Sequence, residues 1–265
     1  MKASETKFVI LKKIIMKNLL ISLYIFLMFS CNNEEKKETE RPPNVVIVFT
    51  DDQGYQDLSC FGSPNIHTPN LDQMAKEGIR LTSYYSAQAV CSASRAGLLT
   101  GCYPNRIGIS GALSPRSNHG INSGETTIAE MLKAIGYSTG IFGKWHLGHH
   151  RKFLPNNHGF DEFMGIPYSN DMWPVDYDGN QVPSDHKLAK RYPQLPFLKN
   201  FEVIKEIRTL EDQAQLTTEI TEEGTTRKLS ALLYAVVTEF AVTDSDVSVV
   251  ILVISSAVTR YFKYI

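Results

Sequence analysis

The chain has 265 residues, 43% of them hydrophobic, with 27 basic against 28 acidic side chains and a formal net charge of −1. That is material for one large domain or part of a larger one. The balance offers none of the basic surface that nucleic-acid binding favours, so no nucleic-acid partner is expected. A global sum is silent about a local cationic pocket for a small anion.

In chain order, residues 16–31 read MKNLLISLYIFLMFSC, a lysine followed by an apolar run that stops at Ser30–Cys31. The run is shorter than the roughly 20 residues a bilayer span needs and suits the apolar region of a secretory signal. A small residue directly before Cys31 resembles a bacterial lipoprotein cleavage site, with Cys31 becoming the acylated first residue. The other reading is an uncleaved membrane anchor. The expectation is a signal over residues 1–31, with residues 1–15 an upstream extension, and an exported periplasmic or cell-surface lipoprotein held on a bacterial membrane by its lipid. NNEEKKETERPP then reads as a solvated tether over residues 32–43. With Cys31 lipidated, Cys60, Cys91 and Cys102 remain, and three cysteines cannot all pair.

Asn44 opens the folded part. NVVIVFT is a β-branched apolar run bounded by Pro43 and by Asp51–Asp52, the pattern of a strand buried on both faces of a parallel sheet. TPNLDQMAKEGIR predicts a helix with Thr68 as N-cap, Pro69 at its first position, Leu71, Met74 and Ala75 as its apolar stripe, and Gly78 as its stop. Ile79–Tyr85 reads as a strand. SRAGLLTG predicts a second helix, and Ile128, Met131, Leu132 and Ile135 the apolar face of a third, closed by Gly136. YSTGIF leads as a strand into GKWHLGHH. Strands alternating with helices predict an α/β layered fold. Beyond about residue 224 the chain turns valine-rich and holds no glycine, proline or histidine. That tail reads either as buried strand or as sequence foreign to the fold.

Four places could carry chemistry. Asp51 and Asp52 sit where the first strand ends, the edge that faces the ligand crevice in open α/β sheets. Adjacent carboxylates need a cation or exposure, and hard oxygens suit calcium or magnesium; a solvated DDQG turn is the plain alternative. Cys91 precedes a helix whose free amide groups favour an anion, with Arg95 one turn on. Such surroundings lower a thiol's pKa, though a structural cysteine beside a surface arginine fits the spacing equally. Lys144 and His146 are two apart, so in an extended segment both project to one side, as a cation and a proton-transfer group. The alternative there is a histidine packed on Trp145.

CSASR resembles the modification signature of the Cys-type, formylglycine-dependent sulfatases. GYSTGIFGKWHLG is similar to their second signature, and NVVIVFTDDQGYQDLSCFG to their opening strand and paired metal aspartates. HTPNLDQMAKEGIRLTSYYSAQAVCSASRAGLLTG follows in the family's order, and GIPYSND around Ser169 is similar to the arylsulfatase and galactosamine-sulfatase branch. The resemblance covers residues 44 to about 180. It implies an alkaline-phosphatase-like layered fold with a mostly parallel central sheet. It implies a sulfuric ester hydrolase, acting on a sulfated small molecule or glycan, in which Cys91 is oxidised by a formylglycine-generating maturase. The hydrated aldehyde offers one hydroxyl to attack sulfur and a second to release the product, which a thiol cannot do.

By position, Asp51, Asp52 and the modified Cys91 would bind Ca2+. Arg95 and Lys144 would hold the formylglycine and the sulfate, His146 would assist proton transfer, and Ser169 would touch the sulfate. The family's second-half groups, a further histidine, an Asp-Asn pair and a lysine, have no counterpart here: no histidine follows His186 and no Asp-Asn dipeptide follows Asp52. The expectation is a catalytic region over residues 44–224, incomplete at its C-terminal side, and a divergent, out-of-frame tail over residues 225–265. The contrasting expectation is a non-catalytic surface lipoprotein that keeps a half-formed sulfate pocket.

Overall fold

A computed structural model describes residues 12–22, 24, 43–51, 53–226, 231–235 and 249–253. The chain divides into two compact units, Met1–Pro42 and Pro43–Ile265. In the first, residues 12–22 are helical and expose Ile14, Ile15, Met16, Leu19, Leu20 and Ile21. Among the described residues no helix is long and apolar enough to cross a membrane. Cys31 and the tether lie outside the described residues.

The second unit is built on a seven-stranded sheet. Its strands are β1 (Val45–Phe49), β2 (Ser138–Lys144), β3 (Glu162–Ile166), β4 (Leu195–Lys199), β5 (Glu202–Ile207), β6 (Ala231–Ala235) and β7 (Val249–Val253). They lie in the order β5-β4-β3-β2-β6-β1-β7. The pairs β1–β6, β1–β7, β2–β3 and β2–β6 are parallel, and only β3–β4 and β4–β5 are antiparallel. The expected mostly parallel sheet is what forms.

Helices α1 (Pro69–Glu77), α2 (Cys91–Thr100), α3 (Ile128–Ala134), α4 (Lys187–Arg191) and α5 (Leu210–Thr226) complete the unit. The strand period of two divides the core. Ile47 and Phe49 of β1 pack with Ala93, Ala96 and Leu99 of α2 and Ala129 of α3. Val46 and Val48 pack instead with Phe142, Phe197 and, from α5, Leu216 and Ile220. Helices therefore cover both faces, and each buried valine, leucine, isoleucine or phenylalanine among them contributes about 1.5–3 kcal/mol.

The helix boundaries follow local chemistry. Pro69 sits in the first turn of α1 and Gly78 caps its end, but the Thr68 side chain makes no capping bond; its hydroxyl donates to Asp72 Oδ1 instead (3.2 Å). The α2 helix ends on Gly101 in the left-handed region (φ 67°), which a residue without Cβ adopts without strain. The α3 face departs from its pattern, because Met131 and Ile135 are exposed.

Thr127 opens α3 with a reciprocal cap. Its hydroxyl accepts from Glu130 N–H (3.2 Å), the Glu130 carboxylate accepts from Thr127 N–H (2.7 Å), and the same hydroxyl donates to the His158 carbonyl (2.8 Å). Thr127 is fully buried. Thr127→Ala is expected to cost about 2 kcal/mol, read as a lower urea midpoint at unchanged slope.

Residues 79–85 form no strand. Their apolar residues stay in solvent, Ile79 at 88% and Tyr85 at 79% exposure. A strand exists only against a partner that takes its backbone hydrogen bonds, and none of the described strands lies beside this one. In the tail, residues 231–235 and 249–253 do form strands, with β6 hydrogen-bonded to both β1 and β2.

Candidate active site

The parallel strands deliver their last residues to one edge at one height. Val48 and Phe142 both pair with Ala235, so the ends of β1 and β2 lie level across β6. Asp51 follows β1, and Lys144 ends β2 in register with Ile166 of β3, three residues before Ser169. Two strand spacings separate β1 from β2, roughly 9–10 Å. A long side chain is needed to bridge that gap, and Lys144 bridges it. Its ammonium, only 5% exposed, donates to Asp51 Oδ2 and to Ser169 Oγ (3.2 Å).

The start of α2 comes to the same place. Cys91 is its first residue, preceded by extended Val90, and Cys91 Sγ lies 3.9 Å from Asp51 Oδ1. One turn on, buried Arg95 donates from Nη1 to the Lys144 carbonyl (2.5 Å) and holds Nη2 3.9 Å from Asp51 Oδ1. Its guanidinium also lies over the Phe49 ring at 5.5 Å. Arg95 and Cys91 thus approach the same oxygen of Asp51. Burial opposes ionisation of Asp51, but Arg95 and Lys144, the hydrogen bond from Lys144 and the field of His146 together hold its carboxyl below the usual carboxylate range.

His146 corrects one expectation. The segment is not extended there: His146 has φ 59°, a left-handed conformation that costs a non-glycine residue about 1–2 kcal/mol. Two bonds hold it. Its N–H donates to the Pro167 carbonyl (3.2 Å), and ring Nε2 lies 2.7 Å from the Leu113 carbonyl. A carbonyl can only accept, so Nε2 carries the proton and buried Nδ1 offers a lone pair, with no hydrogen-bond partner among the described residues. The ring stacked near Trp145 is that of His158, at 6.1 Å.

Burial, then the Lys144 charge, pushes the His146 pKa down to about 3. The unfolded chain therefore binds a proton below about 6.5 that the folded chain refuses until about 3, and stability falls as pH drops through that window. His146→Gln keeps a donor for Leu113 and cannot titrate. The loss of stability between pH 7 and pH 5 is expected to shrink by about 2 kcal/mol in that variant, measured by urea unfolding at both pH values.

The sequence left some participants unread. Ser92 Oγ accepts from Leu113 N–H (2.9 Å), so the helix carrying Cys91 fixes the carbonyl that orients His146. Leu113 acts through its backbone, which no residue-type pattern signals. Gly143 and Gly165 face each other across β2 and β3 just before Lys144 and Ile166. Asp52 lies outside the described residues. Among the described residues Cys60, Cys91 and Cys102 form no disulfide.

A cation at this edge would use Asp51, which is ionised and suits a hard divalent ion. Among the described residues no group of three or more His, Cys, Asp or Glu gathers to hold a metal. The Cys91 sulfur is a soft donor. Conversion of that side chain to an aldehyde hydrate would replace sulfur by hard oxygen, which matches calcium chemistry.

The chain belongs to the sulfatase family: the family model described as Sulfatase matches residues 43–222. It is 52% identical over 137 residues to arylsulfatase A of Homo sapiens, a match covering 51% of this chain and 27% of the relative. It is 40% identical over 172 residues to N-acetylgalactosamine-6-sulfatase of Rattus norvegicus, covering 62% of this chain and 30% of that one. The crystal structure of Ps i-CgsB in complex with k-i-k-neocarrahexaose superposes with a TM-score of 0.59 at 30% identity, over 76% of this chain and 46% of that one. The chain thus spans about a third or less of the length of these curated relatives. The fold is the α/β fold of the sulfatases.

Proposed function

We propose that this protein hydrolyses sulfate esters, and that its substrates are sulfated carbohydrates. One observation carries the reading: Asp51, Cys91, Arg95, Lys144 and Ser169, drawn from β1, α2, β2 and the segment after β3, meet at one edge of the sheet. The chemistry of that set fits a sulfate ester. Two buried cations and a hydroxyl receive a tetrahedral oxyanion, and the α2 amide groups add to the positive field. The sugar class is supported by relatives whose names specify an amino-sugar sulfatase and a bound hexaose.

In this proposal Cys91 would be the residue that a maturase enzyme oxidises to formylglycine, a group that would supply a hydroxyl nucleophile toward sulfur. Asp51 and Asp52, with the modified Cys91, would hold Ca2+, which adds positive charge beside the ester. Lys144 and Arg95 fix the position of the reacting side chain and of the sulfate oxygens. Ser169, already bonded to Lys144, faces the same oxygens. His146 Nδ1 offers a lone pair to a hydroxyl proton in the site, and its neutral state at pH 7 is what that role needs. Export as a lipoprotein through Cys31, with residues 32–43 as tether and residues 44–224 as the catalytic region, completes the proposal.

The test is co-expression with a formylglycine-generating maturase. Mass spectrometry of the Cys91 peptide and release of an aryl alcohol from its sulfate ester are then measured, with and without chelator. Conversion of the thiol with chelator-sensitive turnover is expected. A fully converted Cys91 with no turnover of any sulfate ester would overturn the hydrolase reading.

A further inference from the structure

The segment between Ser169 and β4 is tied down at both ends beside the pocket. Ser169 Oγ touches Lys144, and the neighbouring Tyr168 hydroxyl donates to the Gln194 carbonyl (3.1 Å). Gln194 in turn donates to Gln181 (2.6 Å), which donates to the Arg208 carbonyl (2.7 Å), and Val175 bridges Gln181. The excursion over residues 170–194 is therefore pinned at its stem and carries α4 near its return. Gln194 is the third residue after Arg191, so the Arg191 backbone lies within about 11 Å of the point where Tyr168 holds the chain.

On α4, Lys187, Lys190 and Arg191 stand at positions i, i+3 and i+4, which share one helix face. All three are exposed, whereas Leu188 and Ala189 turn partly inward. None forms an ion pair with a carboxylate among the described residues. The acidic side chains of the excursion lie before the helix, with Asp176 tying the turn to Asn180 and Asp185 exposed. The Arg191 guanidinium rests over the Tyr192 ring at 5.1 Å. His186 accepts from Leu188 N–H through Nδ1 (3.2 Å). Three like charges on one exposed helix face repel one another, and an anion relieves that repulsion.

We propose that Lys187, Lys190 and Arg191 form a second anion subsite, which holds a sulfate or carboxylate elsewhere on an oligosaccharide whose scissile ester lies against Lys144 and Ser169. This rests on the carbohydrate reading above and extends it to polyanionic chains. A monosulfated small ester reaches only the pocket, whereas a longer polyanionic substrate also engages the α4 face.

The experiment compares the full chain with a Lys187→Gln/Lys190→Gln/Arg191→Gln variant, which removes charge from exposed positions and keeps the pocket residues. Calorimetry measures binding of a polysulfated galactan hexasaccharide, an unsulfated uronic-acid hexasaccharide and a neutral hexasaccharide at low and high salt. The variant is expected to bind the anionic hexasaccharides about tenfold more weakly at low salt, with the gap closing at high salt. Comparing the two anionic sugars distinguishes a sulfate from a carboxylate preference. The KM for an aryl monosulfate is expected to be unchanged. Equal binding of the anionic sugars by both proteins, or equal weakening towards the neutral sugar, overturns the subsite. If neither protein turns over the aryl ester but the charge-dependent binding persists, the hydrolase reading fails and the subsite stands.

Discussion

Cys91→Ala is expected to abolish sulfate ester hydrolysis while leaving the fold intact. Cys91 is half-buried at the first position of α2, and its sulfur meets Asp51 at 3.9 Å. Alanine is the best helix former and fills that position without strain, so stability is expected to change by less than about 1 kcal/mol. Turnover is a different matter. The proposed reaction takes its attacking oxygen from this one side chain, and residues acting as a unit lose most of their effect when the nucleophile goes. A fall on the order of 10⁴-fold or more is expected, measured by aryl alcohol release alongside the thermal midpoint. A variant that keeps substantial turnover would place the nucleophile elsewhere.

The largest expected effect on stability belongs to a residue with no side chain. Gly165 of β3 lies opposite Gly143 of β2, and a Cβ there would fall on the Gly143 carbonyl oxygen, with the carbonyl carbon and amide nitrogen beside it. These are backbone atoms in a paired strand, so no side chain can swing away. Gly165→Ala therefore forces β2 from β3, at an expected cost of about 3 kcal/mol or more. The separation also moves Lys144 and the chain leading to Ser169, so sulfate affinity is expected to fall with the urea midpoint. A midpoint shift worth less than about 1 kcal/mol would show that the two strands can part without loss.

The pH response and the Thr127 cap probe the same frame from other sides. One depends on a buried imidazole kept neutral, the other on a hydroxyl that joins α3 to the His158 carbonyl. His146 is coupled electrostatically to Asp51 and Lys144, whereas the Thr127 side chain bonds to Glu130 and the His158 carbonyl. Among the described residues neither shares a hydrogen bond with the α4 side chains, so their effects are expected to add to those of the α4 triple variant.

What the sequence by itself determined was local. VVIVF reads as a strand buried on both faces, and Pro69 and Gly78 bounded α1, because propensity and capping act within a few residues. The groups around Asp51, Cys91 and Lys144 were legible from side-chain type and spacing, and Ser169 from the resemblance to the sulfatases. Tertiary structure decided what depends on partners distant in the chain. Residues 79–85 carry a strand's composition without a partner strand, while residues 231–235 form the strand joining β1 to β2. The left-handed turn at His146 and its ring's bond to the Leu113 carbonyl depend on carbonyls at Pro167 and Leu113, both far from it in the chain. Hydrogen-bond partners and packing distances are properties of the folded chain, and no local pattern of residue types encodes them.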